Sequence, residues 1–378
     1  MIRIQKVIKI GGSLLSSGID YLNVAEKIKR NFLSNETKAL LVVSAAKGIT
    51  DKLISLAKGN TSALYEVEEQ YMDIAHEIGD KEVEAEVAAL IKELRTKITD
   101  CRGSDKCVHV ISSYGERISA ALMAGAFKAI GESSASISAL KSVIAIWRQG
   151  DFSIDYESTS KFLHRELSKN NSKSSVFIVE GFIASLIDGE VVTLGRGGSD
   201  YTATALAAVL SLDETYFITE TEGILSGDPK IVKRPKRIDI LDLNEARIAS
   251  QLGVKKLHPK TFEPVLIFSH PKQIYISSID GVGTRICGEI DCSREGVKVV
   301  VLRDIIEEPY IAVIGKGGPR EVLSMVNEES FISHFIKRVE EVNPYLFFAR
   351  IDKSFVYPDF LNYLHDRLVW GEVSHGQV

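Results

Sequence analysis

Gly195-Arg196-Gly197-Gly198-Ser199-Asp200 lies between an apolar run and an Ala- and Leu-rich segment. The run Val191 to Leu194 predicts a strand, and residues 201–210 predict a helix. Glycines let the backbone turn sharply and approach a ligand, because they carry no Cβ atom. The N–H groups that open a helix attract anions, and Arg196 adds a planar fork suited to a carboxylate or phosphate. We therefore predict a strand–glycine loop–helix anion site, with Ser199 capping the helix.

This glycine loop differs from two common phosphate-binding loops. No Gly-Lys-Ser/Thr closes it, so it is not a Walker loop, and it lacks the Gly-x-Gly-x-x-Gly spacing of dinucleotide-binding folds. An ordinary tight turn is the plain alternative. The charged side chains of Arg196 and Asp200 on either side of the glycines favour a ligand site.

The composition indicates a globular chain with two domains. Of its 378 residues, 45% are hydrophobic and 26% are charged, and the formal net charge is −5. This modest charge argues against a general nucleic-acid binder, and no apolar run approaches the roughly 18 residues of a membrane helix. We expect no nucleic-acid or membrane partner. The N-terminus enters a predicted strand without a signal-peptide pattern, which predicts a cytoplasmic protein.

Four cysteines bear on the redox state and on metal binding: Cys101, Cys107, Cys287 and Cys292. They are too few for a disulfide scaffold, and no histidine stands near them at zinc-finger spacing. We therefore predict reduced thiols and no cysteine-bound metal.

Strand-like and helical segments alternate through the first three quarters of the chain. The strand-like segments are 2–10, 40–43, 108–111, 176–179, 182–186, 190–194, 214–218 and 272–277. The helical segments are 20–33, a pair divided at Gly79-Asp80, 117–130, 201–210, 242–252 and 259–268. This alternation predicts an α/β fold with a mostly parallel sheet and helices on both faces. Ligands bind at the carboxyl ends of such strands.

The pattern changes near residue 290. Residues 297–302, 310–314, 345–351 and 354–357 are strand-like, and 330–342 and 359–369 are helical. We therefore predict a large domain over 1–290 and a small α+β domain over 295–378.

Polar residues follow the predicted strands at five places. They are Lys9 with Gly11-Gly12, Ser44 with Thr50, Glu116, Arg196 with Asp200, and Asp228 with Lys230 and Lys255. Phosphoryl transfer needs positioning and charge neutralisation more than covalent chemistry. A lysine and glycine amides would hold phosphates, carboxylates would hold Mg²⁺, and an arginine would hold a substrate carboxylate. Each residue alone has a structural explanation, but their common place at one sheet edge favours a phosphoryl-transfer site.

These segments resemble the aspartokinases of the amino-acid-kinase superfamily. The resemblance covers about residues 1–290 and is most specific at Thr193 to Ala203, which matches the family signature. The other matching segments, in family order, are Lys9-Ile10-Gly11-Gly12-Ser13, Val42 to Thr50, Ser113-Tyr114-Gly115-Glu116, Thr219 to Gly223 with Asp228-Pro229-Lys230, and Gly253 to Pro259.

The resemblance implies ATP-dependent phosphorylation of the β-carboxylate of L-aspartate, the first step of lysine, threonine and methionine biosynthesis. ATP and Mg²⁺ are the implied cofactors. A carboxylate is already ionised at pH 7, so this nucleophile needs no general base. Two alternatives stay open. One is another amino-acid kinase, acting on glutamate, acetylglutamate, UMP or an isoprenoid phosphate; the other is a catalytically weak amino-acid sensor.

The resemblance also implies roles for individual residues. Lys9 would steady the charge on the transferred phosphoryl group, and Asp200 would orient Lys9. Arg196 would take the substrate α-carboxylate and Glu116 the α-ammonium. The implied catalytic residues are Lys9, Asp200, Gly11 and Gly12; the substrate residues are Ser44, Thr50, Glu116, Arg196, Gly197, Gly198 and Ser199; the nucleotide residues are Lys9, Gly12, Ser13, Thr219, Glu220, Asp228, Lys230 and Lys255.

The chain departs from the family pattern in several places. Ser13-Leu14 replaces Thr-Ser, Glu220 and Glu222 replace aspartates, and Lys230 replaces an arginine. Aspartokinases commonly carry two ACT modules, whereas only about 85 residues remain after residue 294. We expect one ACT-like module, or a pared remnant of two, in which Val297 to Leu302 supplies a missing strand. Its expected role is homodimerisation, with weak or absent feedback inhibition.

Overall fold

The chain divides into two compact units, each made of two segments. The computed structural model describes residues 2–34, 37–101, 104, 106–170, 174–288, 292–303, 309–328, 330–352 and 357–371. Unit 1 comprises Met1–Glu220 and Lys260–Val282, and unit 2 comprises Thr221–Pro259 and Gly283–Val378. Residues 221–259 thus group with the C-terminal residues, and the domains 1–290 and 295–378 stay a prediction.

Strands and helices alternate along most of the chain. The strands are β1 (Lys6–Ile10), β2 (Ala39–Val43), β3 (Ser134–Ile137), β4 (Ala145–Arg148), β5 (Asp151–Ile154), β6 (Val176–Glu180), β7 (Ile183–Ser185), β8 (Val191–Thr193), β9 (Glu214–Ile218), β10 (Ile240–Asp242), β11 (Gln273–Ser277), β12 (Gly283–Cys287), β13 (Val299–Arg303), β14 (Tyr310–Ile314), β15 (Ile336–Val342) and β16 (Leu346–Ile351). The α-helices are α1 (Gly18–Phe32), α2 (Ile49–Ala57), α3 (Ser62–Ile78), α4 (Lys81–Asp100), α5 (Cys107–Ala129), α6 (Ala139–Ser142), α7 (Tyr156–Ser168), α8 (Gly198–Val209), α9 (Leu243–Gln251), α10 (Glu263–Phe268), α11 (Gly318–Glu328), α12 (Ser330–Phe335) and α13 (Tyr357–His365). Short 3₁₀ turns span Gly12–Leu14 and Pro259–Phe262, and a π-helical turn spans Asp366–Trp370.

A parallel sheet forms the centre of unit 1. Within the described residues its strand order is β11-β9-β1-β2-β6-β3, and every neighbouring pair is parallel. All five residues of β2 are buried, which is typical of a parallel strand covered on both faces. The predicted α/β fold with a mostly parallel sheet is therefore confirmed.

Local signals set the helices beside this sheet. Ser17 caps α1 in a reciprocal capping box with Asp20. Gly79, at φ 78°, ends α3 in the left-handed region. Asp80 then caps α4 by accepting from the N–H groups of Glu82 and Val83. The predicted break at Gly79-Asp80 is confirmed.

The prediction of a strand over 108–111 and a polar loop over 112–116 is wrong. These residues belong to α5, a helix of 23 residues. Ile111, Ile118 and Leu122 are all buried and lie at helical spacing within it. A run of four mostly apolar residues does not distinguish a buried strand from a buried helix. Here the buried residues continue at helical spacing through α5.

Unit 2 contains a small antiparallel sheet with helices. Its described strands pair in the order β13-β14-β16-β15, and Val313, Phe347 and Phe360 lie in its core with α11, α12 and α13. The predicted α+β, ACT-like character is confirmed, and so is the extra strand from the region of Val297 to Leu302, which is β13. A parallel pair, β10 and β12, also belongs to this unit.

Two predictions in the C-terminal region, a helix over 330–342 and a strand over 354–357, are not confirmed. Residues 330–342 do not form one helix, because α12 ends at Phe335 and β15 follows. β15 is rich in charged residues, and its antiparallel ladder with β16, the next strand along the chain, overrides their helical preference. Of the predicted strand 354–357, residues 354–356 lie outside the described residues and Tyr357 begins α13.

The prediction of reduced thiols is wrong. Disulfides join Cys101 to Cys107 and Cys287 to Cys292. The Cα atoms of the pairs are 5.0 and 6.5 Å apart, within bridging range. Sequence spacing cannot distinguish such short clips from two free thiols. In the part of the chain that the structure describes, no helix has the length and apolarity to cross a membrane.

Candidate active site

A cleft in unit 1 opens where β1 and β2 end and α8 begins. Its volume is about 1380 Å³ including the open mouth. The predicted site residues that line it are Lys9, Gly12, Ser13, Ser44, Thr50, Glu116, Arg196, Gly197, Gly198, Ser199 and Asp200. Gly11 adjoins them, since its N–H bonds the carbonyl of Ile218 at the end of β9. The fold thus collects these residues from four separate stretches of sequence at one sheet edge.

Lys9 and Asp200 form an ion pair in this cleft. Lys9 stands one residue before the end of β1, and Asp200 lies in the first turn of α8. Nζ of Lys9 is 2.8 Å from Oδ1 of Asp200, and the two side chains are 16% and 19% exposed. A carboxylate this close holds the ammonium of Lys9 in one place.

Two glycines shape the backbone of the cleft, one by allowing a close approach and one by adopting a positive φ. A Cβ atom on Gly12 would collide with the carbonyl oxygen of Ala45, so the loops after β1 and β2 meet only because this residue is glycine. Gly197 adopts φ 70° and is the N-cap of α8, with no side-chain capping bond. The prediction that Ser199 caps the helix is therefore wrong: α8 begins earlier, and Ser199 is its second residue.

Glu116 is a buried carboxyl at the floor of the cleft. It is 2% exposed, and its Oε1 accepts from the N–H of Ala45 at 3.2 Å. Its Oε2 is buried without a hydrogen-bond partner. Burial raises the pKa of Glu116 to about 8, because one backbone donor compensates only part of the lost hydration and Glu180 adds repulsion. Such a group would gain from a cationic ligand.

Arg196 differs from Glu116 in its surroundings. It lies in the glycine loop between β8 and α8, and its side chain is exposed at the cleft. Its guanidinium has neither a hydrogen bond nor an ion pair with the described part of the chain. A fork-shaped cation at the cleft and a buried carboxyl in it are complementary to the two charges of a zwitterionic amino acid.

Ser44 and Thr50 lie on the loop that joins β2 to α2. The hydroxyl of Ser119 in α5 donates to the carbonyl of Ser44 at 2.7 Å. Gly48, at φ 79°, lets the chain turn into α2, which begins one residue before Thr50. The same face of α5 therefore holds Glu116 and fixes the loop beside it.

The predicted nucleotide residues fall in both units. Thr219 and Glu220 follow β9 at the end of the first segment of unit 1, and Asp228, Lys230 and Lys255 belong to unit 2. Nζ of Lys255 lies 2.9 Å from the carboxylate of Asp228, which also accepts from the N–H of Lys230. Although partial burial opposes it, the hydrogen bond from Lys255 holds the pKa of Asp228 below its usual range.

Lys260 was missed by sequence reasoning. Its ammonium donates to the carbonyls of Leu194, at 3.2 Å, and Phe152, at 3.1 Å, and pairs with Asp151 at 2.6 Å. Leu194 directly precedes the glycine loop, so Lys260 fixes the point where that loop starts. These partners are 66 and more residues away in sequence, and no local signal indicates them.

The described residues offer no cluster of side chains that would bind Mg²⁺ by itself. Across the residues that the structure describes, no group of three or more His, Cys, Asp or Glu converges as a metal site. Mg²⁺ in kinases keeps several waters and takes phosphate oxygens with one or two carboxylates. In that role the phosphate oxygens of the nucleotide would supply most of the negative charge around the ion.

Comparison with known proteins gives the family. The model of the amino acid kinase family matches residues 5–274. A bifunctional aspartokinase/homoserine dehydrogenase of Buchnera aphidicola is 27% identical over 334 residues, which cover 83% of this chain and 40% of that protein. An aspartokinase of Geobacillus stearothermophilus is 26% identical over 226 residues, which cover 59% of this chain and 53% of that protein. The chain thus spans about half, or less, of the length of these relatives.

Solved structures share the fold. E. coli aspartokinase III in complex with aspartate and ADP superposes with a TM-score of 0.71 at 21% identity, over 96% of this chain and 83% of that one. The match extends beyond the family model into the C-terminal residues. With its parallel sheet, its strand-end cleft and its aspartokinase-like sequence, the chain belongs to the amino acid kinase family.

Proposed function

We propose that this protein is an aspartate kinase, which uses ATP and Mg²⁺ to phosphorylate the β-carboxylate of L-aspartate and give 4-phospho-L-aspartate. In biosynthesis this is the first step toward lysine, threonine and methionine. The relatives named above are aspartokinases, and E. coli aspartokinase III was crystallised with aspartate and ADP. Their low identity to this chain leaves the substrate to be argued from the cleft.

The observation that carries the proposal is a pair of complementary groups, one carboxyl oxygen and one guanidinium, that lack hydrogen-bond partners in the described residues. Oε2 of Glu116 is buried and has no hydrogen-bond partner, and the guanidinium of Arg196 makes no hydrogen bond or ion pair with the described residues. The α-ammonium and α-carboxylate of an amino acid would satisfy both groups. Phosphate monoesters and nucleotides carry no ammonium group, so this pair favours an amino acid over UMP or an isoprenoid phosphate.

The reaction needs placement and charge in the cleft rather than a general base. Arg196 and Glu116 would fix the α-carbon of aspartate, so its β-carboxylate would lie toward Lys9. That carboxylate is ionised at pH 7 and would attack the γ-phosphorus directly, so that its new O–P bond forms while the bond from the γ-phosphorus to the bridging oxygen breaks and ADP leaves. Lys9, held by Asp200 at 2.8 Å, would neutralise the charge that grows on the phosphoryl oxygens in the transition state. When bound, Mg²⁺ would neutralise further phosphate charge.

The remaining residues would shape the site around these groups. Gly11, Gly12 and Ser13 would present backbone amides and a hydroxyl to phosphate oxygens, and Ser44 and Thr50 would flank the substrate. Gly197, Gly198 and Ser199 would open the helix start toward an anion. For the nucleotide we propose Thr219, Glu220, Asp228, Lys230 and Lys255.

Acyl-phosphate trapping tests this proposal. The purified protein, ATP, Mg²⁺ and hydroxylamine should yield the hydroxamate with L-aspartate, and much less with L-glutamate or N-acetylglutamate. The amino acid that gives the highest kcat/KM identifies the substrate. A preference for glutamate would refute the assignment, and an amino acid that binds without turnover would favour a sensor.

For the C-terminal module we propose a homodimer with weak or absent feedback inhibition. In the described residues one four-stranded sheet packs with three helices, and we propose that they form a single module. Effector sites between paired modules need two, whereas an isolated one can still bury apolar surface against a second copy.

A further inference from the structure

The Asp228 loop, defined as residues 226–236 of unit 2, carries two residues of the proposed nucleotide site, Asp228 and Lys230. These residues form turns and bends rather than a helix or strand. A segment without a helix or sheet ladder depends on its neighbours for its position. What holds the Asp228 loop therefore matters to any nucleotide that Asp228 and Lys230 contact.

Apolar packing ties the Asp228 loop to the C-terminal module. Val232 is 1% exposed and lies in the same core cluster as Val300 of β13 and Phe360 of α13. Ile231 packs against that cluster too. The N–H of Val300 also donates to the carbonyl of Ser226 at 2.8 Å. The loop is thus anchored in the core of the antiparallel sheet.

Asn362 of α13 bonds the backbone of the loop twice. Its Nδ2 donates to the carbonyl of Ile231 at 3.0 Å, and its Oδ1 accepts from the N–H of Lys233 at 2.7 Å. Asn362 is 7% exposed. One buried amide therefore satisfies two backbone groups that stand two residues apart, which fixes the path of the chain between them.

One turn further along α13, His365 meets the start of the loop. Its Nε2 is 2.7 Å from Oγ of Ser226, and both residues are almost fully buried. Oγ of Ser226 already accepts from the N–H of Lys236 at 2.8 Å, so its own proton is available for Nε2. Nδ1 then carries the ring proton and faces Oδ1 of Asp366 at 3.5 Å. Ser226 links the two ends of the loop to the helix.

We infer that Asn362 and His365 are positioning residues for nucleotide binding: they hold the Asp228 loop from α13, so this helix of the C-terminal module is a structural part of the nucleotide site. The inference rests on the proposed function only for the role of Asp228 and Lys230. It also predicts that a chain cut near residue 294 loses nucleotide affinity, because β13 and α13 are removed from beneath the loop.

Hydrogen–deuterium exchange on the full chain tests the mechanical part without any activity. The variants are Asn362→Leu and His365→Leu, with His365→Gln as the conservative partner that keeps a hydrogen-bonding group. Asn327→Leu is the matched control, since Asn327 is an exposed residue of α11. We expect backbone exchange over 226–236 to accelerate about ten-fold in the two Leu variants, because each leaves buried polar groups unpaired. The Gln variant and the control should stay near wild type. Unchanged exchange in both Leu variants would overturn the inference.

Calorimetric titration of ATP and of aspartate tests the functional part. We expect the ATP Kd of Asn362→Leu and His365→Leu to rise about ten-fold while the aspartate Kd stays constant, with the Gln variant close to wild type. Faster exchange with an unchanged ATP Kd would overturn the role in nucleotide binding, and so would an equal loss of affinity for both ligands. If the wild type binds ATP but does not phosphorylate aspartate, the proposed function fails while this test still decides the inference.

Discussion

Glu116 should make aspartate binding strongly dependent on pH. Its carboxyl is buried with a pKa of about 8, whereas the ordinary value is 4.5. The ammonium group of aspartate needs the ionised form of Glu116. The apparent Kd equals the intrinsic Kd divided by the competent fraction, which rises from about 1% at pH 6 to about half at pH 8. Aspartate should therefore bind about 50-fold more tightly at pH 8 than at pH 6.

Isothermal titration calorimetry at pH 6, 7 and 8 measures this dependence directly. In buffers of different ionisation enthalpy, binding at pH 7 should release close to one proton, because the ammonium drives Glu116 to ionise. The matched variant is Glu116→Gln, which keeps the shape and cannot ionise. Its aspartate affinity should be weaker at pH 8 and flat across the range. An aspartate Kd for the wild type that is equal at pH 6 and pH 8 would refute the reasoning.

The same carboxyl should lower stability in alkali when no ligand is bound. Between pH 4.5 and 8 the folded chain holds a proton on Glu116 that the unfolded chain has lost, so the free energy of unfolding falls as pH rises. At 1.36 kcal/mol per pKa unit, the gap between 4.5 and about 8 amounts to roughly 5 kcal/mol at its full extent. Urea unfolding of Glu116→Gln should show a smaller decline between pH 5 and 9 than the wild type. Parallel declines would remove Glu116 as the cause.

Four further outcomes are expected. Arg196→Lys should raise the aspartate KM about 10- to 100-fold and leave the ATP KM nearly constant, because the bidentate fork is lost; steady-state kinetics with each substrate varied decides, and an unchanged aspartate KM contradicts the role of Arg196. Lys9→Ala should lower kcat by about 100-fold or more while calorimetry still detects aspartate binding; a near-normal kcat would exclude Lys9 from the mechanism. Lys260→Met should lower the free energy of unfolding by about 1–3 kcal/mol and raise the aspartate KM, because the carbonyls of Leu194 and Phe152 lose a charged donor. Lys260→Arg should recover part of the stability and part of the aspartate affinity. A Met variant with wild-type stability and KM would show that Lys260 does not support the glycine loop. Light scattering on the full chain should give a dimer, and lysine or threonine below about 1 mM should not inhibit, since the proposed single module offers no paired effector site within one chain. A monomer, or inhibition at such concentrations, would contradict our interpretation of the C-terminal module.

The sequence predicted the parts of the cleft whose signals are local. β1, β2 and β9 are short apolar runs followed by small or polar residues, and the glycines at 195, 197 and 198 indicate a tight turn between a strand and a helix. A parallel sheet brings such strand ends together at one edge. For this reason Lys9, Arg196 and Asp200 could be assigned to one site without knowledge of any contact.

What the sequence could not give depends on distant contacts. The sequence places Glu116 in the site but predicts a loop for it, because the β-branched residues of Val108 to Ile111 favour a strand. In the structure both lie in α5, a helix that packs against α1, α2 and α4. Residues 336–342 form β15 through their ladder with β16, the next strand, and the charged residues of β15 do not indicate this pairing. Lys260 acts on carbonyls far away in sequence, and its role follows from the tertiary structure alone.

Glu116 belongs to a buried helix and Arg196 to a loop, and this difference in rigidity affects how substrate preference can evolve. Glu116 sits on α5, a helix about 35 Å long whose flanking residues are packed on nearly every side. A substitution that moved it would disturb the core, so drift at this position is costly. Arg196 lies between two glycines with positive φ, and its own side chain is exposed, so a different side chain at this position leaves the core untouched. Selection for a longer or shorter amino acid would therefore change the loop that carries Arg196, while Glu116 on the helix would keep its position.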